Sequence, residues 1–138
     1  MTWLVASALA NTGSMAVPVP GSISQEGVQV TAFRRGETVV FEVDVPCGMH
    51  VYGRKEKLGL PLAVIVDGKK VRATVPPGER TVTHPELPPS YWLEGLVTLE
   101  ARTEAHAGEL RVQACTDDTC YPPERLPWSV SLPESPAK

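Results

Sequence analysis

Residues 37–45 read Glu-Thr-Val-Val-Phe-Glu-Val-Asp-Val, and their alternation decides the fold class. Val39, Phe41, Val43 and Val45 fall on one face of an extended chain, Glu42 and Asp44 on the other. This two-residue period predicts a strand with one side buried. The alternation already begins at Val28. Downstream, Leu62 to Val66, the pair Asp67-Gly68 and the run Lys70 to Val75 predict a hairpin, because Asp-Gly supplies the positive φ of a tight turn. Two more strands are expected at Leu96 to Arg102 and Glu109 to Ala114, joined by a turn around Ala107-Gly108. A last strand, Leu126 to Leu132, places Leu126, Trp128, Val130 and Leu132 on one face. Pro76 to Ser90, with five prolines, reads as a long loop or a set of edge pieces.

Composition agrees. The 138 residues suit one domain with one core. Fourteen prolines and eleven glycines are too many breakers for a helical bundle, and no helix of three turns is signalled. About seven or more short strands separated by turn signals argue for an all-β sandwich. A formal charge of −3, without a stretch of interleaved basic and aromatic residues, makes nucleic acid an unexpected partner. No apolar run approaches the roughly 20 residues that span a bilayer, so no membrane insertion of this chain is expected. Trp3 to Ala10 is a short apolar stretch followed by the small-x-small triplet Ser14-Met15-Ala16. Residues 1 to about 20 are therefore expected to lie outside the fold, as a signal-peptide remnant or a disordered tail. The domain is expected over residues 21–133, with a frayed tail after it.

Three cysteines are too few for a disulfide scaffold and leave one unpaired whatever the connectivity. Leu110, Val112 and Ala114 point inward in the expected strand, which puts Arg111, Gln113 and Cys115 on the solvent-facing phase. Cys115 is therefore expected to be reachable. Thr116-Asp117-Asp118-Thr119 separates it from Cys120, the spacing of a four-residue hairpin loop whose flanking positions oppose each other at disulfide range. As a staple the bond closes a very short loop and removes little chain entropy, about 2 kcal/mol in the loop-closure formula. On an exposed loop the same pair is open to in-line attack by an outside thiolate. Asp117 and Asp118 disfavour a thiolate, and no Lys or His lies nearby in sequence to favour one. That points to a relay activated when a partner docks. A zinc site of Cys115, Cys120, Cys47 and a histidine is a third possibility, but no second Cys-x-x-Cys or His-x-x-His element accompanies it. Neither a cofactor nor a metal is expected.

The run from Val112 to Pro123, Val-Gln-Ala-Cys-Thr-Asp-Asp-Thr-Cys-Tyr-Pro-Pro, resembles the redox motif of the N-terminal domain of the DsbD family of thiol:disulfide interchange proteins. A second segment, Gly48-Met49-His50-Val51-Tyr52-Gly53, is similar to that family's Gly-aromatic-His-aliphatic-Tyr-Gly segment, with Met49 in place of the aromatic. The resemblance covers roughly residues 25 to 133. It implies a periplasmic, immunoglobulin-like oxidoreductase domain. Such a domain takes electrons from a thioredoxin-like donor fed by a membrane electron transporter, of which it is part or partner. It passes them to thioredoxin-like acceptors, among them disulfide isomerases and cytochrome c maturation factors. By position, Cys120 would attack the target disulfide and Cys115 would resolve the mixed disulfide. A cap loop shields the pair in the family, and Thr83 to Tyr91 would take that part here.

Around the cysteines, His50 and Tyr52 alternate on one strand face and are expected to line the thiol site, giving a hydrogen bond or proton path to Cys120. Asp117, Asp118, Tyr121 and Pro122 are the other candidate lining residues. Pro122 and Pro123 stiffen the chain after Cys120 and remove backbone donors there. Cys47 is expected to be a small buried or half-buried residue. Trp92 and Trp128 read as core or rim residues, and His84 and His106 fall in expected loops.

Overall fold

A computed structural model describes residues 19–130. Along the chain run β1 (Val19–Ile23), β2 (Gln29–Arg35), β3 (Thr38–Asp44), β4 (Val51–Tyr52), β5 (Ala63–Val66), β6 (Lys69–Val71), β7 (Glu79–Thr81), β8 (Ser90–Leu93), β9 (Leu96–Arg102), β10 (Ala107–Val112) and β11 (Glu124–Ser129). The described residues contain no helix. Three antiparallel sheets form, in the orders β1-β2-β3-β9, β11-β10-β5-β6 and β4-β8-β7. The two four-stranded sheets enclose the core, so the expected all-β sandwich is the architecture found. Residues 1–18, with the signal-like stretch, and residues 131–138, with Leu132 and the Ser-Pro tail, lie outside the described part.

The alternation that marks β3 also builds the core. Register places Val30 and Val97 beside Val43, and Ala32 and Leu99 beside Phe41, so inward side chains line up across three strands. From the facing sheet, Leu110 lies between Val64 and Leu126. The sheets meet where the rings of Phe41 and Trp128 pack edge to face, with centroids 4.9 Å apart. Such a pair contributes about 0.5–1.5 kcal/mol beyond the area it buries. Asp67 and Gly68 take φ of 53° and 78°, the paired positive values that the β5–β6 hairpin turn needs.

Several expected boundaries move. The strand foreseen over Lys70 to Val75 splits at Val71. Its second half crosses to the opposite sheet, where Ala73 bridges Ala101 and Thr74 N donates to Glu100 O. Nor do β9 and β10 form a hairpin: they belong to different sheets. Ala107 and Gly108, expected in a turn, are strand residues paired with Ser129 and Trp128. Gly108 is there for space, since a β-carbon would stand 2.8 Å from Cζ2 of Trp128. Inside Pro76 to Ser90 the short edge strand β7 pairs with β8, completing a third sheet that alternation does not announce.

Candidate functional site

The third sheet positions the site. Its strand β4 is short, but the chain just before it is tied to the segment after β10 by two backbone hydrogen bonds, His50 N to Cys115 O at 2.9 Å and Cys115 N to His50 O at 3.0 Å. Beyond Cys115 the chain turns sharply. Thr116 N donates to Thr119 O at 2.7 Å and Tyr121 N to Ala114 O at 3.0 Å, with Cys115 and Cys120 directly opposed. The two sulfurs are joined in a disulfide, with Cα atoms 4.0 Å apart. The opposed pair foreseen from the four-residue spacing is therefore present.

Cys115, however, is not reachable. It is 0% exposed, whereas Cys120 is exposed. The expected outward phase fails because Ala114 and Cys115 are both buried and the face assigned to solvent is covered by Tyr52. The Tyr52 hydroxyl lies 3.0 Å from Cys115 Sγ and 3.4 Å from Cys120 Sγ. Pairing also slips by one residue here: Val112 faces Glu124, but Cys115 faces Cys120. The extra residue falls in Tyr121-Pro122-Pro123, where the prolines have no N–H to continue the ladder.

Of the other candidates, His50 is buried, with its ring stacked on Trp92 at 3.6 Å between centroids and set edge-on to Tyr52. It makes no hydrogen bond to either sulfur among the described contacts; of the two residues expected to reach the sulfurs, Tyr52 is the one that does. Burial lowers the His50 pKa, against the opposing pull of the Asp117 and Glu56 charges, so the ring is held neutral. Asp117 and Asp118 are exposed in the loop. Asp118 accepts hydrogen bonds from the hydroxyls of Thr116 and Thr119, which braces the turn. Tyr121 is half-buried and Pro122 exposed. The Thr83 to Tyr91 stretch leaves Cys120 uncovered, so the expected shielding is absent. Cys47 is a free, exposed cysteine rather than a buried one, because it occupies the turn closed by Met49 N donating to Pro46 O. Among the described residues no three His, Cys, Asp or Glu side chains gather as a metal site would require.

Glu56 is the site residue that sequence reading missed. It sits in the charged run Arg54-Lys55-Glu56-Lys57, which carries the signature of a solvated loop, yet it is only 7% exposed. One carboxylate oxygen accepts from Ser90 Oγ (2.8 Å) and Tyr91 N (2.7 Å), the other from Leu58 N (3.1 Å) and Gly59 N (2.9 Å). Burial would raise its pKa, but these donors outweigh it and hold the carboxyl below its usual range. The loop so pinned lies against the Tyr52 ring at Gly59, where a β-carbon would come 2.6 Å from Cδ2. Ring and hydroxyl are thus held in place by the loop. Trp92, read as a core or rim residue, is the platform for His50.

This arrangement offers an outside thiolate one sulfur to attack, keeps the other in a dry pocket, and aims a phenol at the buried one. No protein-family model matches the chain, no curated protein sequence matches it, and no solved structure matches its fold.

Proposed function

We propose that this domain is an exported, periplasmic thiol:disulfide exchange module that relays electron pairs through the Cys115/Cys120 couple between thioredoxin-like proteins, as the resemblance to the DsbD N-terminal domain implies. The observation that carries this reading is the asymmetry of the disulfide: Cys120 exposed, Cys115 buried against the Tyr52 hydroxyl. A partner thiolate attacks Cys120 Sγ in line with the disulfide. The Cys115 sulfur leaves with the bonding electron pair, and the Tyr52 hydroxyl donates a hydrogen bond to the new thiolate. The partner's second thiol then attacks its own sulfur in the mixed disulfide and frees Cys120. The partner leaves oxidised to a disulfide, and Cys115 and Cys120 are left as two thiols. In the onward step the Cys120 thiolate attacks an acceptor's disulfide, and Cys115 resolves the product.

The competing reading is a non-catalytic immunoglobulin-like binding module in which the disulfide is a structural staple. Such a staple gains little from so short a loop, about 2 kcal/mol, in a sandwich whose core is already closed by residues from both large sheets. A disulfide also fits the export the reading requires, since such bonds persist in oxidising compartments.

Trapping tests the proposal. In a Cys47→Ser background, which removes the other exposed thiol, Cys115→Ser leaves Cys120 as the lone accessible thiol and should accumulate a mixed disulfide with an oxidised thioredoxin-like protein. In the same background Cys120→Ser leaves only the buried sulfur and should trap little. Equal trapping by both variants, or none by either, would count against the relay.

A further inference from the structure

We infer that Leu58 and Leu60, on the loop pinned by Glu56, form the docking surface for a thioredoxin-like partner, receiving the apolar surface beside that partner's reactive cysteine. This rests on the exchange reading above. Both leucines point outward, Leu58 at 55% and Leu60 at 37% exposure. The loop is not free to fold them in. Leu58 N and Gly59 N are bound to the Glu56 carboxylate, and Leu60 N donates to Gln113 Oε1 at 3.0 Å. Their outward setting is therefore built into the same hydrogen bonds that fix Tyr52.

Two short chains of contact tie the backbone that carries these side chains to Cys120. Leu58 adjoins Gly59, which lies on the Tyr52 ring, and the Tyr52 hydroxyl is 3.4 Å from Cys120 Sγ. Leu60 reaches the same point through Gln113, whose Nε2 donates to the carbonyl of Tyr121 at 3.4 Å, the residue after Cys120. A partner whose sulfur meets Cys120 also covers what surrounds it. Even a small transient interface covers about 500–600 Å² on each side, a disc about 13 Å in radius. The two contact chains place Leu58 and Leu60 in those surroundings. Their burial on docking favours a partner face that is apolar next to its cysteine, as protein interfaces are at their centre.

The test compares two reductants on the oxidised protein: reduced thioredoxin, which must dock, and glutathione, which need not. In Leu58→Asp and Leu60→Asp, thioredoxin should react at least about tenfold more slowly, because a charge then opposes an apolar face. Glutathione should react within about twofold of its rate with the unaltered protein, since these positions are exposed and the disulfide is untouched. If both reductants slow alike, the loop acts on the disulfide rather than on docking, and the inference fails. It fails equally if thioredoxin is unaffected. Should thioredoxin reduce the unaltered protein no faster than glutathione does, the exchange reading itself fails and takes this surface with it.

Discussion

The hydroxyl of Tyr52 lies 3.0 Å from Sγ of Cys115, the sulfur with no access to solvent. Burial raises the Tyr52 pKa, the Glu56 charge raises it further, and the nearby Ser90 hydroxyl opposes them only in part. The phenol therefore stays protonated and remains a donor. Opening the disulfide at Cys120 would create a thiolate on Cys115 where water cannot reach it, and an unpaired buried charge is costly. A hydrogen bond already in place offsets part of that cost without reorganisation.

Tyr52→Phe removes that donor and keeps the ring that packs on Gly59. A hydrogen bond to a charged group is worth about 1.5–3 kcal/mol, so reduction by glutathione should slow by about 10- to 100-fold. The unfolding free energy should change by less than about 1 kcal/mol, since the lost bond joins neutral partners in the oxidised state. An unchanged rate in stopped-flow or quenched-alkylation kinetics would remove Tyr52 from the mechanism.

Acid should destabilise the fold in two stages. His50 is held neutral with its pKa lowered, so the unfolded chain takes up its proton first and stability falls as pH drops below about 6.5. Glu56 has a lowered pKa, so its contribution is complete above the unfolded value of about 4.3 and is lost as pH falls through the lower folded value. Denaturant unfolding across this range should show His50→Phe flattening the upper stage and Glu56→Gln the lower one. A stability curve that neither substitution alters would contradict the assignment.

Gly59→Ala places a β-carbon against the buried ring of Tyr52. Overpacking of this kind costs about 1–3 kcal/mol. Because the displaced ring carries the hydroxyl, the exchange rate should fall with the stability. A variant as stable as the parent, reacting at the parent's rate, would show that the loop does not position Tyr52.

Along the inward face of the alternating strands, sequence and structure agree, although Val40, on the opposite face of β3, is buried as well. Val39, Phe41 and Val43 of β3, Val97, Leu99 and Ala101 of β9, and Leu126 and Trp128 of β11 are all buried as their alternation requires. The Asp67-Gly68 turn and the opposed Cys115 and Cys120 were equally legible, because each depends on local geometry. The third sheet was not. Its strand β7, Glu79–Thr81, lies in a proline-rich stretch with no apolar period, and β4 is two residues long. Without that sheet nothing covers the outer face of Cys115, so its burial could not be foreseen. Glu56 was hidden for a related reason. A carboxylate between two lysines looks solvated unless its four donors, drawn from residues 58, 59, 90 and 91, are known to converge on it.

The reduction potential of the Cys115/Cys120 couple tests the central claim most directly. The oxidised protein would be equilibrated with graded glutathione and dithiothreitol buffers, and its free thiols counted by mass after alkylation. An exchange module should titrate reversibly with a midpoint between about −120 and −270 mV, the span of known thiol:disulfide exchange proteins. A bond that stays closed to below about −300 mV would be a structural staple, and the relay would have to be abandoned.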